Sequence, residues 1–129
     1  MLKKVLYSNS IFINHLESLR PIYNPFNSYL IERQYDNAKS KFSKLTKIAG
    51  CLPRTNVLKK ENNYWKGVCR SLIFRFPDDL EILLIPENKK LKNSQGTIQV
   101  RSASRIGQSD LGVNKKRVEY LLSELEKLR

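Results

Sequence analysis

The chain has 129 residues, 40% of them hydrophobic and 28% charged, with 24 Lys and Arg against 12 Asp and Glu and a net charge of +12. That length suits one domain, large enough to bury a core without disulfides or metal. Apolar runs such as Ile82-Leu-Leu-Ile85 exclude disorder throughout, and no apolar stretch reaches the roughly 18 residues of a membrane-spanning helix.

The positive charge has two readings. One is attraction to a polyanion, whether nucleic acid, an anionic membrane surface or acidic protein. The other is composition: Lys, Asn and Ile are all abundant, and Lys outnumbers Arg by 15 to 9. The lysines are scattered as singles, pairs and a loose Lys89-Lys90-x-Lys92 run, without interleaved aromatics, so composition is the first reading. Cys51 and Cys69 have no zinc-ligand spacing and no nearby His, and read as buried reduced thiols, with a single disulfide as the alternative. The lone histidine, His15, leaves little basis for His-based metal sites or for Ser-His-Asp and Cys-His catalysis. Met1-Leu-Lys-Lys resembles the charged end of a signal peptide, but three polar residues interrupt the following run, Val5 to Ile13, and no signal peptide is read.

Residues 1–35 carry little periodicity. Pro21 and Pro25 bracket an aromatic, Asn-rich stretch, which reads as extended chain across a domain or as a loose arm, after a possible short helix around Ile11–Leu19. The segment 36–129 reads as the folded domain. Asp36 is placed as N-cap or first-turn residue of a helix over 36–49, with Ala38, Phe42, Leu45 and Ala49 as its apolar stripe and Gly50 as its stop. Thr55–Lys59 is a candidate strand, followed by an Asn62-Asn63 turn. From Tyr64 to Phe76 the alternation reads as a half-buried antiparallel strand, with Pro77-Asp78-Asp79 as the turn that ends it. Leu80–Ile85 is the next strand, 86–96 a polar loop, and Thr97–Arg101 a fourth strand. Asn114 is placed as N-cap of a helix over 114–128, whose stripe is Val118, Leu121, Leu122, Leu125 and Leu128. The expected fold is therefore α+β: one antiparallel sheet of about four strands with two helices packed on it.

The segment between the last strand and the last helix is the candidate site. Ser102, Ser104, Arg105, Asp110 and Asn114 crowd into it, Gly107 and Gly112 permit unusual backbone, and Leu111 and Val113 read as apolar pins. A glycine-bearing loop at a helix N-terminus can bind an anion, with Arg101, Arg105 or Arg117 adding bidentate contacts. The competing reading is scaffold: Arg105 pairs with Asp110 and shuts the loop, and Asn114 only caps. This is not the phosphate-loop pattern. Arg70 joins the candidates because, on an apolar strand face, it needs a partner such as Asp78, Asp79 or Asp110.

Three stretches carry a family resemblance: Leu52-Pro-Arg-Thr55, Arg70-Ser-x-x-Phe-Arg-Phe-x-Asp-Asp-x-Glu81, and Val100-Arg-Ser-Ala-Ser-Arg-Ile-Gly-x-Ser-Asp-Leu-Gly-Val-Asn-x-x-Arg-Val-Glu119. Together they resemble the family of domain of unknown function 1499, from about Tyr35 to the end. The resemblance implies bacterial or plastid proteins, often exported or near a membrane, and implies no reaction or cofactor. Members commonly carry a Cys-Pro-x-x-Pro-Asn-Cys-like segment before the first helix; here only Pro21 to Ser28 occupies that region.

The expected function is a non-catalytic binding module for a small anion, a lipid headgroup or a protein partner through the 101–114 loop. One alternative is a hydrolase-like or other enzyme using Ser, Asp and Arg of the same loop. Another is nonspecific nucleic-acid binding through net charge. No cofactor or metal is expected, the expected partner is a small anionic ligand or a membrane-associated protein, and the expected location is cytoplasmic.

Overall fold

In the computed structural model, residues 18–87 and 95–128 are described. Seven elements follow in order: β1 (Ser28–Tyr35), α1 (Ala38–Gly50), β2 (Thr55–Lys60), β3 (Tyr64–Arg70), β4 (Pro77–Pro86), β5 (Gly96–Ser104) and α2 (Val113–Lys127). The strands form one sheet in the order β1-β5-β4-β3-β2, with every neighbouring pair antiparallel. This is the α+β architecture expected, with five strands rather than about four.

The additional strand, β1, lies in the segment expected as extended chain or loose arm. It pairs with β5 from Ser28↔Ala103 to Tyr35↔Gly96, so the first strand lies beside the last. Its alternation places Tyr29, Ile31 and Tyr35 against the main core and turns Leu30 to the other face. The charged residues between them obscure that period in the sequence, because an edge strand is only partly buried.

Both helices cover one face of the sheet. Ala38, Phe42, Leu45 and Ala49 of α1 and Val118, Leu121, Leu122 and Leu125 of α2 meet Trp65, Leu80, Ile82, Leu84, Ile98 and Val100. A Cβ on Gly67 would fall 2.7 Å from the Trp65 ring and 3.2 Å from the Asn56 carbonyl, so glycine there admits the indole beside β2. On the opposite face Leu19, Tyr64 and Leu83 make a smaller cluster. Gln99 tethers the entering chain across that face, its Oε1 accepting from the Leu19 amide at 2.8 Å and from the Ser18 hydroxyl at 3.2 Å.

Several boundaries differ from the sequence reading, and β5 runs on to Ser104, so Ser102 and Ser104 lie in the strand rather than between strand and helix. α1 is preceded by Asn37, at φ 53°, rather than capped by Asp36. β3 stops at Arg70 instead of running to Phe76, and residues 71–76 form a loop. The residues read as its terminating turn, Pro77-Asp78-Asp79, instead open β4, because Asp78 and Asp79 have partners that let a strand carry them. The N-cap position of α2 is Gly112, at φ 83°, and Asn114 lies inside the first turn. The possible helix at 11–19, His15 and the 89–92 lysines fall wholly or mostly outside the described residues.

Candidate functional site

The pleat separates the residues of the 101–114 segment. Ser102 and Ser104 point to the helix-bearing face, and Arg101 to the other. On the helix face α2 delivers Asn114 and Arg117 onto the two serines. Ser102 Oγ donates to Asn114 Oδ1 at 2.6 Å, and Arg117 Nη1 lies 2.9 Å from the same oxygen and 3.0 Å from Ser102 Oγ. Arg117 Nη1 is also 2.9 Å from Asp78 Oδ2, and the two side chains are only 13% and 8% exposed. Asn114 Nδ2 lies 3.0 Å from the Asn27 carbonyl, 3.0 Å from Ser104 Oγ and 2.6 Å from Asp110 Oδ2. Ser102 and Asn114 are fully buried. Five of the expected site residues, Ser102, Ser104, Asp110, Asn114 and Arg117, thus come together, in a closed network rather than an open site.

Asp110 caps the helix in the role expected of Asn114. Its carboxylate accepts from the backbone N–H of Gly112 at 2.7 Å and of Asn114 at 3.1 Å. It does not pair with Arg105. Partial burial alone would raise this carboxyl, but the Asn114 amide and the backbone N–H groups outweigh it and hold it below its ordinary value. Arg105 instead forks onto Asp79, with Nε at 3.0 Å from Oδ2 and Nη2 at 2.7 Å from Oδ1. At Asp79, too, burial pushes upward and is outweighed by the Arg105 guanidinium, so this carboxyl also sits low. Both groups therefore stabilise the fold above the ordinary carboxylate value of 3.8, and that contribution is lost as pH falls through their lower folded values. The melting temperature is expected to fall between about pH 5 and pH 2, and Asp110→Asn should flatten that acid limb. An unchanged slope removes Asp110 from the account.

Arg101 belongs to a second cluster, on the opposite face. Tyr64 donates its hydroxyl to Glu81 Oε2, while Glu81 Oε1 lies 3.6 Å from Arg101 Nη1. Arg101 Nε is buried without a hydrogen-bond partner among the described residues. Burial pushes the Tyr64 phenol well above its ordinary range, assisted by the Glu81 charge. Arg70 stands apart from both clusters. It is exposed rather than set on an apolar face, and its Nη1 donates to the Arg75 carbonyl at 3.1 Å.

Asp78 and Asn27 complete the first network but were not among the site residues expected from sequence. Asp78 was assigned to a turn, and Asn27 stood in the stretch read as loose chain; neither carries a local signal, because each acts on a partner far along the chain. Leu111 and Val113 are not pins, since both are exposed. The cysteines differ in kind: Cys69 is buried in the core, with burial pushing its thiol up, while Cys51 is exposed, and both are free. A maleimide should add once to the native protein, at Cys51, and twice in urea. Two rapid native adducts would contradict the burial of Cys69.

Among the described residues, a cleft of about 310 Å³ lies between β1 and α2 and another of about 380 Å³ beside Cys51 and Pro53, and none of the eight expected site residues lines either. Among the described residues no three His, Cys, Asp or Glu side chains form a metal-binding group, and no helix is long and apolar enough to cross a membrane.

A five-stranded antiparallel sheet with two helices on one face and a buried Asp-Arg-Asn-Ser network at the strand-to-helix junction defines a small α+β domain. The model of the family described as Protein of unknown function (DUF1499) matches residues 14–125, and the chain belongs to that family. The match takes in β1, upstream of the motifs that carry the resemblance. No curated protein matches the chain.

Proposed function

We propose that the domain is a non-catalytic binding module and that its binding surface is the end of the sheet framed by the 101–114 segment. The single observation that carries this reading is a contrast at that end. Most polar groups of the segment are spent on one another, on β4 and on the turn before β1, while apolar side chains of the segment and of the β3–β4 loop face outward. Leu72, Ile73 and Phe74 are 68%, 78% and 72% exposed, and Leu111 is 87% exposed. Single exposed apolar residues need no explanation, but a cluster of them at loop tips marks an interaction site. Two carboxylates of this region, Asp79 and Asp110, sit low, whereas acid–base catalysis favours a raised one, and this supports binding over catalysis.

The test is whether this surface is dispensable for folding. Ile73→Ser/Phe74→Ser should leave the melting temperature within about 2 °C of the parent, as surface substitutions do, while reducing binding of a hydrophobic dye. A loss of more than about 2 kcal/mol, the size of a core truncation, overturns the reading.

A further inference from the structure

The register brings three loops to one end of the molecule. Arg70↔Pro77 closes the β3–β4 loop, Ser28↔Ala103 sets the start of β1 beside the end of β5, and the β5–α2 loop leaves the same edge. Hydrogen bonds join them: the Arg105 amide donates to the Pro77 carbonyl at 3.1 Å, Asn27 Nδ2 to the Gly107 carbonyl at 2.8 Å, and the Asp110 amide to the Phe26 carbonyl at 2.9 Å. The loops therefore form one built surface rather than three independent tips.

The β3–β4 loop has its polar groups tied at the neck and its apolar groups thrown outward. The Ser71 amide donates to the Phe76 carbonyl at 3.0 Å, and the Phe76 amide to Ser71 Oγ at 2.9 Å. Phe74 and Phe76 stack with ring centroids 5.4 Å apart. Beyond that neck stand Leu72, Ile73 and Phe74, a convex apolar tip, with Phe26 and Leu111 exposed on the neighbouring loops. Leu111 adopts φ 55°, a conformation that disfavours a side chain, while burying almost nothing, so folding alone gives no reason for leucine there.

The charge around the tip has one sign. Arg54 spends its Nε on the Arg70 carbonyl and Arg70 its Nη1 on the Arg75 carbonyl. Among the described residues none of these three arginines has a carboxylate within ion-pair distance. The nearby acids Asp78, Asp79 and Asp110 are held by Arg117, by Arg105 and by the start of α2. A protruding apolar tip ringed by unpaired arginines on a chain of net charge +12 matches a surface that is soft, apolar beneath and negative above.

From this, and resting on the binding-module reading, we infer that this end of the domain docks onto an anionic lipid surface. Leu72, Ile73 and Phe74 enter the boundary between headgroups and acyl chains, and Arg54, Arg70 and Arg75 meet the lipid phosphates. Apolar insertion and attraction to anionic lipid add together in such interfacial binding.

The full chain is sedimented with vesicles of phosphatidylcholine alone and of phosphatidylcholine with phosphatidylglycerol. It is expected to bind the anionic vesicles. Ile73→Ser/Phe74→Ser should weaken that binding at least about tenfold at an unchanged melting temperature, since two inserted apolar groups are lost. Phe74→Trp is the second variant, and the emission of its added indole should shift to the blue on mixing. The inference is overturned if neither vesicle is bound, if the double serine variant binds as the parent does, which is diffuse charge alone, or if the Phe74→Trp variant shows no blue shift. If vesicles go unbound while the double serine change abolishes self-association, the occupant is a second copy of the chain, and the lipid inference fails while the binding-module reading stands. If the double serine variant unfolds, both fail.

Discussion

Asp78→Ala is expected to destabilise the domain by about 3–5 kcal/mol, the cost of stranding one partner of a buried ion pair. Arg117 and Asp78 are almost wholly removed from water, so the guanidinium would lose its only carboxylate among the described residues while staying desolvated. At roughly 4 °C per kcal/mol for a domain of this size, the melting temperature should fall by about 10 °C or more. The neighbouring pair provides the comparison. Arg105 and Asp79 form the better fork but are 43% and 20% exposed, so Arg105→Ala should cost no more than about 1 kcal/mol. Asp78→Asn keeps the shape and loses the charge, and should fall between the parent and Asp78→Ala. Urea unfolding of the variants decides the matter; equal costs for Asp78→Ala and Arg105→Ala would show that burial does not govern these pairs.

Asn114→Ala is expected to cost about 2–4 kcal/mol, because its removal leaves several buried polar groups unsatisfied at once, which exceeds the net value of the bonds lost. The side chain joins three segments of chain, the turn before β1, the end of β5 and the start of α2, through Asn27, Ser102, Ser104, Asp110 and Arg117. Because Asp110 shares the network, Asn114→Ala and Asp110→Ala combined should cost less than the two separate losses added together. Additive losses in a double-mutant cycle would mean that Asp110 caps α2 independently of Asn114. A cost below about 1 kcal/mol for Asn114→Ala would show that water replaces the amide.

The contrast between these variants and the tip substitutions separates frame from surface. Ser102, Asn114, Arg117 and Asp78 hold α2 against the sheet, and from that junction the β5–α2 loop and the β3–β4 loop project together. The motif-bearing segment is thus the mount of the proposed binding surface, with little of its own polarity left for a ligand.

Much of the fold was legible because its signals are local. The stripes of α1 and α2 follow the helical period, and Ile82–Ile85 is the continuous apolar run of a strand buried on both faces. β1 was not legible as a strand: its pairing with β5 joins the two ends of the domain, and its exposed edge admits Glu32, Arg33 and Gln34. The reach of β3 was overestimated for a related reason. Leu72, Phe74 and Phe76 continue its alternation, yet they have no sheet neighbour to bury them, because the chain turns back at Arg70. The candidate site was legible as a set of residue types and not as a set of contacts. Arg105 and Asp110 lie close in sequence, but the bend at Gly107 and Gly112 sends the carboxylate to the helix and the guanidinium to Asp79.

The amino-acid sequence by itself determined the α+β class, the two helices, most of the strands and the family, because helical and strand periods and a long motif are written in neighbouring residues. Tertiary structure alone decided the carboxylate partners of Arg101, Arg105 and Arg117. An arginine or a carboxylate takes its role from whatever faces it across the sheet, and those groups lie far along the chain. It also decided that Leu72, Ile73 and Phe74 stand in solvent, since only the position of the β3–β4 turn determines whether an apolar residue has anything to pack against.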